Sequence, residues 1–235
     1  MIGAAEPDIL PGVSIATEPP DPAARTAGVV RAHVEGSVVE DEVLAAARER
    51  AADLGAVPVS PAVGATLTFL ARVLAARTVV EVGTGAGVSG VYLLRGMRAD
   101  GVLTTIDTEP EHQLSARRAF AAAAVAPGRY RLINGRALQV LPRLTDSGYD
   151  LVFVDAGVSE HPRYLAEAAR LLRPGGVVAL HGALTGGRVA DPAQRDAETV
   201  ALRETSRQAY EDDGWSPVLL PVGDGLLAAC QVAAG

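Results

Sequence analysis

"VVEVGTGAGVSG", residues 79–90, begins like an apolar strand and ends like the start of a helix. Its glycines are Gly83, Gly85, Gly87 and Gly90, and glycine lets a backbone turn sharply or approach a ligand closely. In open α/β sheets, ligands bind beyond the carboxyl ends of the strands, near the point where the strand order reverses. The stretch therefore predicts a strand, loop and helix with a ligand above the loop.

Short apolar segments alternate with helical stretches along the rest of the chain. The predicted strands are 78–82, 102–107, 130–134, 150–155 and 177–181. Strands that are apolar throughout indicate a parallel sheet covered on both faces. Two further apolar segments, 216–222 and 225–232, are joined at Gly223 and Asp224 and predict a closing hairpin. The fold class is therefore α/β, with a mostly parallel seven-stranded sheet, helices on both faces and a C-terminal antiparallel hairpin.

Helix signals complete the pattern. Two helices are predicted over 40–54 and 61–75. A third follows a capping box formed by Thr108 and Glu111, and a fourth ends at the helix-breaking "RPGG" of 173–176. A fifth is predicted to start at Asp191, with Pro192 and Gln194 in its first turn. Residues 1–35 are rich in Pro, Ala and acids and show no sustained period, which predicts a flexible N-terminal arm. Residues 36–235 are predicted to form a single domain.

Composition excludes several classes of protein. Met1–Leu10 lacks the basic and apolar pattern of a signal peptide, and no apolar run could span a membrane, so a cytoplasmic location is expected. Cys230 is the single cysteine, which excludes an internal disulfide and a cysteine metal cluster. A net charge of −7 and 4% aromatic residues argue against nucleic-acid binding. A small-molecule ligand is left as the leading option.

The glycine loop can be read in two registers. Gly85, Gly87 and Gly90 satisfy the dinucleotide pattern G-x-G-x-x-G, and Asp107 follows in the next strand. In the other register, Glu81 stands two residues before Gly83. A carboxylate there would repel a pyrophosphate, whereas it would attract the ammonium and sulfonium groups of S-adenosylmethionine. The second register is favoured.

Several motifs now support a family resemblance. "VVEVGTGAGVSGVYLL", "TTIDTEPEH", "YDLVFVDA" and "LLRPGGVVAL" occur in that order, preceded by "VSPAVG" and followed by the hairpin. Over about residues 55–232, the chain resembles the class I S-adenosylmethionine-dependent O-methyltransferases of the catechol and caffeoyl-CoA type. The resemblance implies a Rossmann-like methyltransferase fold and S-adenosylmethionine as cofactor.

The resemblance also implies a set of cofactor-binding positions. These are Val59, Glu81, Gly83, Thr84, Gly85, Gly87, Ser89, Asp107, Ala137 and Asp155. Glu81, Gly83 and Thr84 would line the methionine and ribose region, Ser89 would bind the methionine carboxylate, and Asp107 would accept the ribose hydroxyls. Val59 would lie against the cofactor, Ala137 would border the adenine, and Asp155 would face the ammonium group. Each position also has a structural explanation, since glycines permit turns and Ser89 or Asp107 could cap a helix. The prediction therefore depends on all these positions occurring together.

The chain departs from the family pattern at the metal site. Metal-dependent members hold a divalent cation with an acid after the fourth strand and an Asp-Asn pair after the fifth, and many carry a lysine base. Here Asp155 is kept, but His181 and Gly182 replace the pair and Val158 stands near the lysine position. Hard cations prefer several oxygen ligands, so no metal is predicted. A transition metal on Asp155 and His181 stays open as an alternative, although two ligands are too few without a further one.

His181 is the candidate general base because it follows the fifth strand, and His161 is a less favoured second choice. Alternatively, His181 is a strand-end residue without a role in proton transfer. His33 and His112 are expected on the surface. Arg136 stands where relatives carry an acid, and it is expected either to stack on the adenine or to face solvent.

The predicted function is S-adenosylmethionine-dependent O-methylation of a small molecule without a divalent metal. The alternatives are a cofactor-binding protein without catalysis and a nicotinamide-dependent oxidoreductase. The apolar N-terminal helices suggest a homodimer. The acceptor cannot be read from the sequence, and its specificity is expected in the N-terminal arm and in 183–191.

Overall fold

The computed structural model describes residues 22–232. Its α-helices are Pro22–Gly36 (α1), Glu42–Asp53 (α2), Pro61–Val73 (α3), Val88–Gly96 (α4), Pro110–Ala122 (α5), Ala137–Val140 (α6), His161–Leu171 (α7) and Ala197–Glu211 (α8). Its strands are Thr78–Val82 (β1), Val102–Asp107 (β2), Tyr130–Asn134 (β3), Tyr149–Val154 (β4), Leu172–His181 (β5), Trp215–Leu220 (β6) and Leu226–Gln231 (β7). Over this range, every helix is too short or too polar to cross a membrane.

The strands form one seven-stranded sheet in the order β3-β2-β1-β4-β5-β7-β6. β1 lies between β2 and β4 and is parallel to both, whereas β7 is antiparallel to β5 and β6. The predicted fold class is confirmed. Because the chain order reverses at β1, the loop after β1 lies at the switch point where α/β sheets bind ligands.

Both faces of the central strands β1 and β4 are buried, which explains why these strands are mostly apolar, whereas the edge strands β3 and β6 are partly exposed. Successive side chains of a strand point to opposite faces. Val79 and Phe153 therefore pack in a core with α3, α4 and α5, whereas Val80 and Val152 pack in a second core with α7. Burying each such side chain contributes about 1.5–3 kcal/mol to folding. Together the two cores hold the strand ends, and the loops that follow them, in fixed positions.

The fifth strand is longer than predicted. The "RPGG" segment of 173–176 was expected to end a helix and precede the strand, but β5 already begins at Leu172. A register shift between Tyr149 and Leu151 of β4 accommodates this segment. Proline and glycine are tolerated in strands at such irregularities. The helix does end before this segment, as predicted, but the segment belongs to β5 and was wrongly placed outside the sheet.

Two helix starts also differ from the predictions. The last long helix, α8, begins at Ala197 with Asp196 as its N-cap, whose side chain accepts a hydrogen bond from the Thr199 amide; the predicted start at Asp191 was wrong. Helix α5 begins at Pro110 with Glu109 at the cap position, and no side chain caps it. The predicted capping box of Thr108 and Glu111 is therefore absent.

The N-terminal segment was predicted to be an arm without regular structure over residues 1–35. Residues 22–36 instead form α1, and residues 1–21 lie outside the described residues. Side chains 25–34 of α1 are all exposed. The segment lacks the regular repeat of apolar residues that marks a buried helix face, so its sequence did not indicate a helix.

Candidate active site

A cavity of about 650 Å³ lies at the carboxyl ends of β1, β2 and β4. It is lined by residues 82–86, 106–109, 135–139 and 155–157, together with parts of α4, α7 and the segment before α3. The volume falls in the range of small-molecule sites. Of the predicted cofactor positions, the cavity lining includes Gly83, Thr84, Gly85, Ser89, Asp107, Ala137 and Asp155.

Gly83 turns the chain out of β1 and into the cavity. Its φ is +95°, and a Cβ at this position would clash with the carbonyl oxygen of Asp155. Its amide donates to the carbonyl of Ile106 at 2.9 Å. Only glycine satisfies both the left-handed conformation and the close approach, so this residue brings the ends of β1, β2 and β4 together around the cavity.

Asp107 ends β2 and faces the cavity. Its Oδ2 accepts a hydrogen bond from the Gly85 amide at 2.9 Å, and its Oδ1 accepts one from the Glu109 amide at 2.9 Å. His112 Nδ1 lies 3.3 Å from the same Oδ2, so His112 belongs to the site, and its expected surface position was wrong. A carboxylate has about four lone-pair positions. The two amides take two of these positions, and His112 takes a third when Nδ1 carries the proton, so Asp107 keeps acceptor capacity for at least one hydroxyl group.

Glu81 lies behind the glycine loop and does not line the cavity. It is fully buried, and neither carboxyl oxygen has a geometrically well-formed hydrogen bond within the described chain. Burial raises the pKa of Glu81 to about 7, and the negative charges of Asp155 and Asp107 add to the shift, against the opposing effect of the nearby Ser89 and Thr105 hydroxyls. A positively charged group bound nearby would stabilise the ionised form of such a buried carboxyl group.

Two other predicted positions also stand outside the lining. Val59 is 1% exposed and belongs to the core; it follows Val57 and Pro58, which do line the cavity. Gly87 lies against α5, where a Cβ would come within 2.8 Å of the Cα of Ala116. Its backbone starts α4, so the structure gives it a packing role.

His181 and Asp155 form a pair at the neighbouring ends of β5 and β4. His181 Nδ1 lies 2.8 Å from Asp155 Oδ1. Because a carboxylate can only accept, Nδ1 carries the proton, and Nε2 of a neutral ring keeps its lone pair. This Nε2 is buried and has no hydrogen-bond partner among the described residues. Asp155 lines the cavity, but His181 stands just outside the lining.

His161, the second candidate base, lies in the first turn of α7 and is 1% exposed. Burial lowers its pKa to about 4, so the ring is neutral at pH 7. It does not line the cavity. The buried ring packs edge-on against Tyr164, with the ring centroids 6.5 Å apart, so the structure gives His161 a packing role.

The donor set does not fit a hard divalent cation. Within residues 22–232, no group of three or more His, Cys, Asp or Glu side chains has a metal-binding arrangement. Asp155 Oδ1 and His181 Nδ1 are paired with each other, which leaves one carboxylate oxygen and one ring nitrogen as possible ligands. Mg²⁺ and Ca²⁺ take six or more ligands, nearly all oxygens. One carboxylate and one imidazole do not provide them.

The sequence reasoning missed a contribution from α7 and the turn before it. Glu160, Arg163 and Tyr164 line the cavity, and the Tyr164 hydroxyl donates to Glu160 at 2.8 Å. Their spacing of three and four residues is the signal that could have placed them on one helix face. Arg136, at the start of α6, is exposed and also lines the cavity.

Comparisons with known proteins agree with this geometry. A sequence model of the O-methyltransferase family matches residues 34–232. A probable O-methyltransferase of Mycobacterium tuberculosis is 57% identical over 213 residues, which cover 91% of this chain and 95% of that protein. Among solved structures, the chain is similar to the O-methyltransferase TomG from Streptomyces achromogenes, involved in tomaymycin synthesis and solved in complex with SAM. The identity is 32%, the TM-score is 0.79, and the match covers 87% of this chain and 96% of that chain. An O-methyltransferase from Bacillus cereus, solved in complex with SAH, is 26% identical with a TM-score of 0.77, over 86% of this chain and 97% of that chain.

Proposed function

The chain belongs to the O-methyltransferase family, and on that premise we propose that it transfers the methyl group of S-adenosylmethionine to a hydroxyl oxygen of a small molecule without a divalent metal. The observation that carries this proposal is the arrangement of carboxyl groups around the cavity. Asp107 and Asp155 line it, and Glu81 is buried behind its loop without a hydrogen-bond partner in the described chain. Such a site attracts a cationic nucleoside and repels a pyrophosphate.

The family match does not support a dinucleotide-binding loop, and it therefore does not support a nicotinamide-dependent oxidoreductase. We assign the binding roles as follows. Asp107 holds the ribose hydroxyls, Ser89 holds the methionine carboxylate at the start of α4, and Ala137 borders the adenine. Glu81 and Asp155 provide the negative charge that faces the ammonium and sulfonium groups.

S-adenosylmethionine supplies an electrophilic methyl group on sulfur when it is bound. The chain's task is then to orient the acceptor oxygen and to remove its proton. We propose that His181 Nε2 takes this proton. Asp155 holds the imidazole through Nδ1, fixes the tautomer and stabilises the cationic ring that forms. Proton removal by an imidazole takes the place of acidification by a metal ion.

Calorimetry with S-adenosylhomocysteine tests the cofactor, and repeating it with Mg²⁺ and with EDTA tests the metal. We expect the same affinity under both conditions. Turnover is then measured on a panel of phenols, carboxylates and amines, again with Mg²⁺ and with EDTA. A methyl transfer that requires Mg²⁺ would refute the metal-independent mechanism, and no binding of S-adenosylhomocysteine would refute the assigned cofactor.

A second candidate function is a cofactor-binding protein without catalysis. The burial of His181 Nε2 favours it, because a base that cannot reach the acceptor cannot act. The two candidates differ in one result. Binding of S-adenosylhomocysteine with no methyl transfer to any member of the panel would favour the binding protein.

We also propose that the enzyme is a homodimer. Helix α1 exposes Val29 and Val30, and α3 exposes Phe69 and Val73. These apolar side chains suit an interface between two copies, and sedimentation at micromolar concentration tests it: a monomer would refute the proposal. We also propose a cytoplasmic location, which cell fractionation tests.

A further inference from the structure

The proposed base has its reactive nitrogen covered. Nδ1 of His181 is taken by Asp155, so Nε2 is the nitrogen left for an acceptor. The side chain as a whole is 16% exposed, yet Nε2 is buried without a hydrogen-bond partner in the described part of the chain. A buried polar atom without a partner is costly and calls for an explanation; if His181 is the base, the element that buries Nε2 has to move for an acceptor to reach it.

The covering element is the turn between β6 and β7. A Cβ on Gly223 would lie 3.4 Å from His181 Nε2, 3.0 Å from Ser60 Oγ and 2.6 Å from Val63 Cγ2. A side chain at this position would contact the imidazole and overlap the first turn of α3, so the backbone of Gly223, with φ of +55°, lies close to both. Only a residue without a side chain permits this approach.

The turn is fastened to the segment that follows His181. Asp224 Oδ1 accepts a hydrogen bond from the Gly186 amide at 2.6 Å. The carbonyl of Asp224 accepts from the Leu184 amide at 3.0 Å, and the carbonyl of Gly225 accepts from the Ala183 amide at 3.1 Å. Of these bonds, only the first uses a side chain, and it is the charge-assisted one.

We propose that turn 222–225 is a movable cover over His181 Nε2, that Asp224 holds it closed, and that an acceptor reaches His181 only when the cover opens. The inference rests on the proposed role of His181 as base. Asp224 is thus a positioning residue, which acts through the backbone of Gly186 and never touches the acceptor. The cover also explains how a catalytic imidazole can be present while its reactive nitrogen is shielded.

The test measures the reactivity of His181 in the full-length protein with diethyl pyrocarbonate, which acylates neutral imidazoles, followed by peptide mass spectrometry. The rate at His181 is expressed relative to that at exposed His33. We expect slow acylation of His181 in the wild type. Asp224→Ala should raise the ratio about fivefold or more because it removes the side-chain hydrogen bond. Asp224→Asn keeps an acceptor oxygen and should stay near the wild-type ratio.

A second variant guards against a folding defect in Asp224→Ala. Leu184→Ala removes a side chain that packs on Gly225, and it should raise the same ratio. Calorimetry with S-adenosylhomocysteine should give wild-type affinity for both variants. The cover is refuted if wild-type His181 reacts as fast as His33, or if the ratio is the same in every folded variant. This outcome is separate from a failure of the proposed function, because the acylation assay needs neither cofactor nor methyl acceptor.

Discussion

Replacing Glu81 by glutamine tests the electrostatic basis of the site. The substitution keeps the shape of the side chain and removes its titration. In the protein without cofactor, burial raises the pKa of Glu81 from an ordinary 4.5 to about 7. The folded state therefore holds this proton more tightly than the unfolded state does, and the stability contribution of Glu81 falls as pH rises.

The size of the effect follows from the shift. One pKa unit corresponds to about 1.4 kcal/mol, so the penalty for ionising Glu81 in the folded state reaches about 3 kcal/mol. It is absent below the unfolded pKa, grows between pH 4.5 and 7, and is constant above. Glu81→Gln should therefore be more stable than the wild type at pH 8, by up to about 3 kcal/mol, and equally stable at pH 4.

Urea unfolding of both proteins across this pH range measures the difference directly. Other groups titrate in both proteins alike, so they cancel when the two are compared at each pH. Glu49→Gln, at an exposed position of α2, serves as the matched control and should show no such pH dependence. The reasoning is refuted if Glu81→Gln and the wild type respond to pH in the same way, or if the variant is less stable at pH 8.

The same variant should bind the cofactor less tightly. An ammonium group near Glu81 stabilises its ionised form, so wild-type binding of S-adenosylmethionine should release a proton near pH 7. Glu81→Gln should lose that release and about tenfold or more in affinity at pH 8. Calorimetry in buffers of different ionisation enthalpy measures both quantities. A variant that is stabilised but binds normally would leave Glu81 as a structural acid without a role in binding.

The remaining predictions concern the other carboxylates and the base. Asp107→Ala should weaken binding of S-adenosylhomocysteine at least about tenfold, because it removes the carboxylate acceptor for the ribose and frees the Gly85 amide; calorimetry measures this, and unchanged affinity would contradict it. His181→Ala should lower kcat about 10²–10⁴-fold and leave the affinity for S-adenosylhomocysteine unchanged, and an unaltered kcat would exclude His181 as the base. Asp150→Ala should destabilise the fold by about 2–4 kcal/mol, since the Arg77 and Thr78 amides and the Arg173 guanidinium all donate to this carboxylate; thermal unfolding with no loss of stability would contradict it.

The sheet could be predicted from the sequence because each strand carries its own signal. The bounds of β1 and β2 follow from short apolar runs, and β2 ends on an acid at the predicted position; β3 also has its predicted bounds, although it is an edge strand without a fully buried residue. Burial on both faces makes such runs distinctive. The cavity follows too, since the strand order alone fixes where the loops converge.

Helix starts in the C-terminal part could not be predicted, because the deciding contacts are distant in sequence. Asp191 and Asp196 offer equivalent cap signals. Arg203 of α8 donates to the carbonyls of Val189 and Gln194 at 3.0 and 2.7 Å. These bonds satisfy backbone groups that a helix would otherwise pair, so the segment before Asp196 stays irregular. His112 was missed for a similar reason, since its contact with Asp107 depends on how α5 is rotated.

If an imidazole is the base, as in the proposed mechanism, it limits the acceptors that the enzyme can use. A bound cation acidifies a hydroxyl group directly, whereas the Asp155 and His181 pair can only take a proton that the acceptor is ready to give. Phenols ionise near pH 10, within reach of an imidazole, but an aliphatic hydroxyl is about as weak an acid as water, with a pKa near 16. General-base catalysis is most effective when the two pKa values are close. The geometry of Asp155 and His181 therefore favours a phenolic hydroxyl over an aliphatic one.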